Sequence, residues 1–230
     1  MTITTQISAS QWQALEENNE LSNLSLDIDF NHRRRWPNRR ISVVSRSWLL
    51  ITSAGLRLLM LHRIAQWLHS KREDDSGFKL FWLVMSIPLC VLKMATKANT
   101  KSYLSHNSKI EGGIVLSDQG NIIFGPKKVG SGTVIGMRVT VGMSHTDNGS
   151  PNIGHNVWIG SDCVIYGAIT IGDGATLLPN TVLTKSIPAG VVMQGNPARL
   201  VLRNFDNSII RERQDIDVIQ YVNAKREQGG

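Results

Sequence analysis

The chain has 230 residues and a mass of 25.5 kDa, room for one large domain or two small ones around a real core. Hydrophobic residues at 41% and charged residues at 19% exclude wholesale disorder, and two cysteines, Cys90 and Cys163, exclude a disulfide scaffold or a multi-cysteine metal site. The net charge of +7 is unevenly spread: residues 1–31 hold five acids and no Lys or Arg, residues 32–105 hold 14 basic residues against three acids, and the remainder is nearly balanced.

Residues 1–40 read as a polar and basic leading segment. Met1 to Asn31 is polar and acidic and has no apolar run of the kind an export signal needs, so the chain is expected on the reducing, cytoplasmic side. His32-Arg33-Arg34-Arg35-Trp36, with Arg39 and Arg40, opens the basic stretch, whose charge seeks an anionic surface. Residues 41–105 read as α-helical. There Trp48-Leu49-Leu50-Ile51, Leu56, Leu58-Leu59-Met60-Leu61, Ile64, Trp67 and Leu68 are set among Arg57, Arg63 and Lys71. Beyond Glu73–Gly77 lies an uncharged run from Leu80 to Leu92, 13 residues long and short of the ~20 that span a bilayer. Apolar and aromatic residues beside cations favour a lipid headgroup surface over nucleic acid, with helices lying in the headgroup plane. The same pattern also fits a helical cap packed on the rest of the protein. Cys90 lies among apolar residues and reads as a small core residue.

Residues 106–203 carry an internal repeat of period six. Aliphatic residues fall at Val129, Ile135 and Val141, then at Ile153, Ile159, Ile165, Ile171, Leu177 and Leu183, and glycine follows at 130, 136, 142, 154, 160 and 172. A six-residue step gives one short strand and one tight turn, and three steps close a triangular coil. The aliphatic residue points inward and stacks on its counterpart in the next coil, while glycine relieves the turn. The predicted fold is therefore mainly β, a parallel β-helix preceded by a helical region. Between Val141 and Ile153 the phase survives if Gly142–Asn152 is partly extruded as a loop, or if that loop replaces one strand and its turn. Cys163 falls at an inward position and reads as a small core residue. Asp206 to Glu227, within a tail spanning 204–230, reads as a terminal helix with Ile209, Ile210, Ile216 and Ile219 on its apolar side.

From about Ser108 to Arg203 the sequence resembles the hexapeptide-repeat acyltransferases. The likeness rests on Asn156-Val157-Trp158-Ile159-Gly160-Ser161, on Thr184-Lys185-Ser186-Ile187-Pro188 and on Gly195-Asn196-Pro197-Ala198-Arg199, which look like the sugar O-acetyltransferase and xenobiotic acetyltransferase branches. Gly113-Ile114-Val115-Leu116-Ser117-Asp118 and the helical half look more like serine acetyltransferase. The resemblance implies a left-handed coil, a homotrimer and acetyl-CoA as donor.

Acyl transfer to a hydroxyl needs a base, donors for the oxyanion and a slot for the thioester. His145, in the loop Met143-Ser144-His145-Thr146-Asp147-Asn148-Gly149, matches the sugar acetyltransferases' base; the alternative is a solvated loop histidine. His155 follows Gly154 in a turn slot and reads as structural. Serine acetyltransferases carry an Asp-His pair where this chain has Ser117-Asp118, and Ser150 stands where a second histidine is expected. Asp118 then either orients His145, contacts the acceptor, or is a turn aspartate. Carried over from the family, Trp158 flanks the pantetheine arm or sits at a trimer interface. Gly160, Ser161, Pro179 and Thr184 line the coenzyme A groove, and Lys185 and Arg199, assisted by Arg203, face its phosphates. Met143 and Met193 read as filler. No metal is expected, because only His145 and His155 lie in the repeat, too few for a β-helical carbonic anhydrase.

The reading at this stage is an acetyl-CoA-dependent O-acetyltransferase for a sugar hydroxyl of an exopolysaccharide or surface-glycan precursor, cytoplasmic and peripheral on an anionic membrane surface. Lipid-linked sugars are the expected acceptors, and nucleic acid is not an expected partner. L-Serine O-acetylation is the alternative, and a β-helical scaffold or membrane adaptor is the non-enzyme alternative.

Overall fold

The computed structural model describes residues 20–74, 88, 90–92, 94, 96, 100–144 and 149–228. The apolar run at 80–92 lies largely outside them, and His145 lies outside them. Cys90 is exposed rather than part of a core.

Fifteen short strands build a left-handed parallel β-helix with three faces. The first sheet stacks β1 (Tyr103–Leu104), β4 (Ile123–Phe124), β7 (Thr140–Gly142), β10 (Val164–Tyr166) and β13 (Val182–Leu183). The second stacks β2 (Lys109–Ile110), β5 (Lys128–Val129), β8 (Asn152–Ile153) and β11 (Thr170–Ile171). The third stacks β3 (Val115–Leu116), β6 (Val134–Ile135), β9 (Trp158–Ile159), β12 (Thr176–Leu177) and β14 (Val192–Gln194), and ends on β15 (Arg199–Leu202), which runs antiparallel to β14.

The inward ladders follow the predicted phase. Phe124, Val141, Ile165 and Leu183 are in register along one face, Ile110, Val129, Ile153 and Ile171 along the next, and Leu116, Ile135, Ile159 and Leu177 along the third. Cys163 is fully buried in the same core, and burial pushes its thiol up to about 11. The β-helix begins a full coil before the regular repeat. Eight residues separate Leu116 from Phe124 and five separate Phe124 from Val129, and these uneven steps hide the first coil. Glycine after the aliphatic is explained by close approach rather than by φ, except at Gly142, which has open space beside it. A Cβ on Gly160 would stand 2.7 Å from the Pro179 nitrogen in the next coil. The left-handed turn positions are held by other residues, among them Asn156, Asp162 and Asn180.

Val141 and Ile153 lie on adjacent faces of one coil, so residues 143–151 extrude six extra residues at a single corner. The loop replaces no strand.

Of the described helices before the β-helix, α1 (Glu20–Arg35) and α3 (Ala54–Asp74) pack on the first coil, and α2 (Val43–Thr52) packs on those two. The polar leading segment is thus helical from Glu20. Its inward face consists of Asp27, Ile28, Asn31 and His32, so hydrophobic spacing could not reveal it. Asp27 and the α3 residue Arg63 form an ion pair at 2.6 Å, with side chains 0% and 1% exposed. Asp27 also accepts from the Ile114 N–H, Asn31 donates to the Ile114 carbonyl, and Arg63 donates to the carbonyls of Ile110 and Glu111. Burial pushes the Asp27 carboxyl up, and Arg63 with the N–H groups of Ile114 and Gly113 pulls against it. A capping box of Ser42 and Ser45 starts α2, and α2 meets α3 at a 97° bend.

The C-terminal segment forms two helices, α4 (Ser208–Glu212) and α5 (Val218–Gln228), rather than one. Asn207 fixes the turn before α4 by donating to the carbonyls of Asn156 and Gly174. The break rotates the apolar side: Ile210 and Val222 are buried, whereas Ile209 and Ile219 are exposed.

Two outcomes follow from the helical packing. Asp27→Ala leaves the buried Arg63 without its counter-charge, which lowers unfolding free energy by about 3–5 kcal/mol in a urea titration. His32 is buried, with neither ring nitrogen hydrogen-bonded; burial and the Arg39 charge hold its pKa below 6.5. Its contribution is therefore complete above the unfolded value and is lost as pH falls below it. The urea midpoint declines from about pH 7 to about pH 5, and His32→Phe flattens that decline.

Candidate active site

A cleft of about 490 Å³ opens between the helical half and one corner of the β-helix. Asn31, Arg34 and Arg35 of α1 form one wall, Leu49 and Ser53 the next, and Ser117, Asp118, Met137, Trp158 and Ser161 the β-helical side. Gln214 closes it from the segment between α4 and α5. The corner arises because the strands of the third sheet end at Leu116, Ile135 and Ile159, so the residue pairs that follow them stack along the axis.

Asp118 is committed to the helical half. Its Oδ1 accepts from Ser53 Oγ at 2.5 Å and from the Gly55 N–H at 3.1 Å, and its Oδ2 lies 3.5 Å from Arg35. A carboxylate at the first turn of α3 offsets the partial positive charge there. Gly55 permits the approach, since a Cβ would stand 2.2 Å from the Leu116 carbonyl oxygen. A pairing of Asp118 with His145 falls outside the described residues.

The arginines are divided between structure and solvent. Arg34 donates to the carbonyls of Ile210 and Arg211, and burial together with the Arg211 charge pulls its pKa down to about 10. Arg46 binds Asp29 at 2.6 Å, whereas Arg33, Arg39 and Arg40 are exposed. Three members of the basic cluster, His32, Arg34 and Arg35, thus serve internal contacts.

Trp158 points outward from the coil, as expected, but is covered. It packs with Val115, Val134, Leu178, Phe205, Ile210 and Val222 beneath the C-terminal helices, is 9% exposed, and has no hydrogen bond at Nε1. Gly160 and Ser161 follow it at the cleft corner, and Pro179 stacks on them from the next coil. Thr184 and Lys185 lie across the first sheet, at the corner that also carries the 143–151 loop. Gly149, where the loop returns, packs so closely on Ala168 that a Cβ would stand 2.3 Å from the alanine Cβ. Arg199 opens β15, and it, Lys185 and Arg203 are exposed, with no carboxylate partner among the described residues.

Met193 packs against the core, but Met143 is 61% exposed and fills nothing. His155 is held in its turn by Ser131, Glu111 and Asp173. Among the described residues no group of three His, Cys, Asp or Glu could hold a metal ion. Sequence reasoning missed Asn31, Ser53 and Gln214, ordinary polar residues whose place in the cleft depends on helix packing.

Residues 150–185 match the family model for the bacterial transferase hexapeptide (six repeats). A chloramphenicol acetyltransferase of Agrobacterium fabrum is 39% identical over 62 residues, 27% of this chain and 30% of the relative. A galactoside O-acetyltransferase of Escherichia coli is 47% identical over 49 residues, 21% of this chain and 24% of the relative. The chain thus spans less than a third of the length of these curated relatives. A solved serine acetyltransferase from Brucella abortus has a TM-score of 0.62 and 23% identity, covering 83% of this chain and 72% of that one, so the shared fold extends well beyond the repeat. The family match thus falls on the coils of residues 150–185, inside a β-helix whose fold is shared with the solved serine acetyltransferase.

If Asp118 works as the cap of α3, Asp118→Ala lowers stability by about 1 kcal/mol and speeds amide exchange in the first turn of α3. Unchanged exchange would show that the carboxylate is kept for another purpose.

Proposed function

We propose that the protein is an acetyl-CoA-dependent O-acetyltransferase acting on a sugar hydroxyl of an exopolysaccharide or surface-glycan precursor. It works in the cytoplasm at the inner face of the membrane, where lipid-linked sugars are presented. The observation that carries this reading is the cleft itself. It sets Ser161 at a hexapeptide corner opposite a polar wall, while Asp118, at the place of the serine acetyltransferases' Asp-His pair, is tied to Ser53 and Gly55. The sequence likeness to a galactoside O-acetyltransferase supports the same acceptor class.

Bound acetyl-CoA supplies the acyl carbon. Gly160, Ser161 and Pro179 would line its arm with backbone groups, and the exposed cations Lys185 and Arg199 suit its phosphates. Trp158, being covered, would contact the arm only at its cleft-facing edge. His145 takes the proton from the acceptor hydroxyl, the oxygen attacks the thioester carbon, and backbone N–H groups hold the oxyanion. The imidazolium then returns its proton to the departing sulfur. Within one chain the Ser161 corner and the loop corner are separated by the width of the first sheet. A homotrimer would bring one copy's loop against its neighbour's corner and complete the site.

L-Serine as acceptor is the second reading, favoured by the likeness of fold to serine acetyltransferase through the helical half. Labelled acetyl-CoA offered with L-serine or with a membrane-glycolipid extract separates the two. We expect label in glycolipid, reduced at least about 100-fold by His145→Ala. Label in serine instead would overturn the acceptor. Absence of any acetyl-CoA-dependent thermal shift would overturn the enzyme in favour of a scaffold.

A further inference from the structure

One helix face has no partner among the described residues. On α2 the inner side is Ser45 and Leu49, and Leu49 packs with Ile28 and Leu56. The opposite side presents Val43, Val44, Trp48 and Ile51, which are 80, 78, 58 and 67% exposed. At 100° per residue these four cover an arc of roughly 140°. Ser47 and Thr52 are the other exposed residues of that side, and neither is charged. Arg46 lies off the arc and is held by Asp29. Arg39 borders a shallow groove with Val44 and Trp48, and Arg40 stands beside it, exposed and without a carboxylate partner among the described residues.

This face is not part of a membrane span. Among the described residues no single helix is long and apolar enough to cross a bilayer. α2 and the first part of α3 reach that length only together, across a 97° bend, and α3 buries Leu56, Leu59, Leu61 and the paired Arg63 inside the protein. Of these two helices it is α2 that turns large apolar side chains outward, and at ten residues it is about 15 Å long. That is the geometry of a helix lying along a surface.

We propose that α2 docks the protein on an anionic phospholipid surface, with Val44, Trp48 and Ile51 entering the headgroup boundary and Arg39 and Arg40 on lipid phosphates. This rests on the membrane part of the function proposed above and names the element responsible. Charge complementarity selects lipid over a second copy of the chain, because a two-fold contact on this stripe would set the arginines of both copies along one interface. The consequence for chemistry is positional. Leu49 and Ser53, at the end of α2, line the cleft, so docking brings its mouth to the depth at which a lipid-linked sugar is displayed.

The test is flotation of the full chain with phosphatidylglycerol–phosphatidylcholine vesicles and with phosphatidylcholine vesicles alone. Native protein floats with the anionic vesicles only. Trp48→Ser with Ile51→Ser weakens partitioning at least about tenfold, and Arg39→Gln with Arg40→Gln weakens it about 30-fold at low salt. All four side chains face solvent, so melting temperature and the acetyl-CoA thermal shift stay at native values and exclude misfolding as the cause. Native protein that fails to float, or either variant floating undiminished, overturns the proposal. A smaller assembly in sedimentation for Trp48→Ser with Ile51→Ser, with flotation unchanged, would assign the stripe to a second copy. Transfer to a soluble sugar, measured without vesicles, reports on the enzyme separately: its absence beside intact flotation removes the acetyltransferase and leaves the docking surface standing.

Discussion

In a parallel β-helix the hydrogen bonds run along the axis, so the first coil must expose one edge of backbone groups with no coil to receive them. Here the buried Asp27–Arg63 pair and Asn31 receive that edge: the N–H of Ile114 goes to Asp27, its carbonyl accepts from Asn31, and the carbonyl of Ile110 accepts from Arg63. The rest of the molecule depends on this arrangement. It fixes α1 and α3 against the first coil, and the corner of that coil then lies close enough to the α2–α3 bend for Asp118 to cap α3. The cleft is the space left between. A charged pair so fully buried is expensive to desolvate, and the bonds of the carboxylate to the guanidinium and the Ile114 N–H, with those of the guanidinium to two carbonyls, offset that cost.

This explains how one chain resembles two kinds of relative at once. The coils of residues 150–185 match the hexapeptide transferase model, and relatives by sequence include sugar, drug and serine acetyltransferases, whereas the helical half, seated on the first coil, follows the fold of a solved serine acetyltransferase. The cleft lies at the junction of the two, and its walls draw on both.

How much of this was legible in the sequence follows from the range of each interaction. The inward ladder of Val129 to Leu183 was readable because its rungs recur every six residues, and the one step of twelve, Val141 to Ile153, keeps the phase. The first coil was not, because steps of eight and five break the phase around Phe124. The helix at Glu20–Arg35 was hidden by its own function: a face that must hydrogen-bond a strand edge carries Asp27, Asn31 and His32 where an ordinary helix carries leucines. Gly160 and Ser161 could be placed from their motif. The partners of Asp118 could not, since Ser53 and Gly55 are more than 60 residues away and nothing local signals the contact. The expected single C-terminal helix is two because Arg213 leaves the helical conformation for an extended one, ahead of the segment that carries Gln214 to the cleft.

The 143–151 loop leaves the stack at a corner and returns to it with Val141 and Ile153 still in register with their neighbours above and below. That register is set by the strands on either side of the loop. Doubling such a loop costs only about 0.6 kcal/mol in closure entropy. Natural variation can therefore lengthen, shorten or exchange it, and the histidine it carries, while the solenoid beneath stays folded. Substrate preference and architecture in such a protein are free to diverge at different rates.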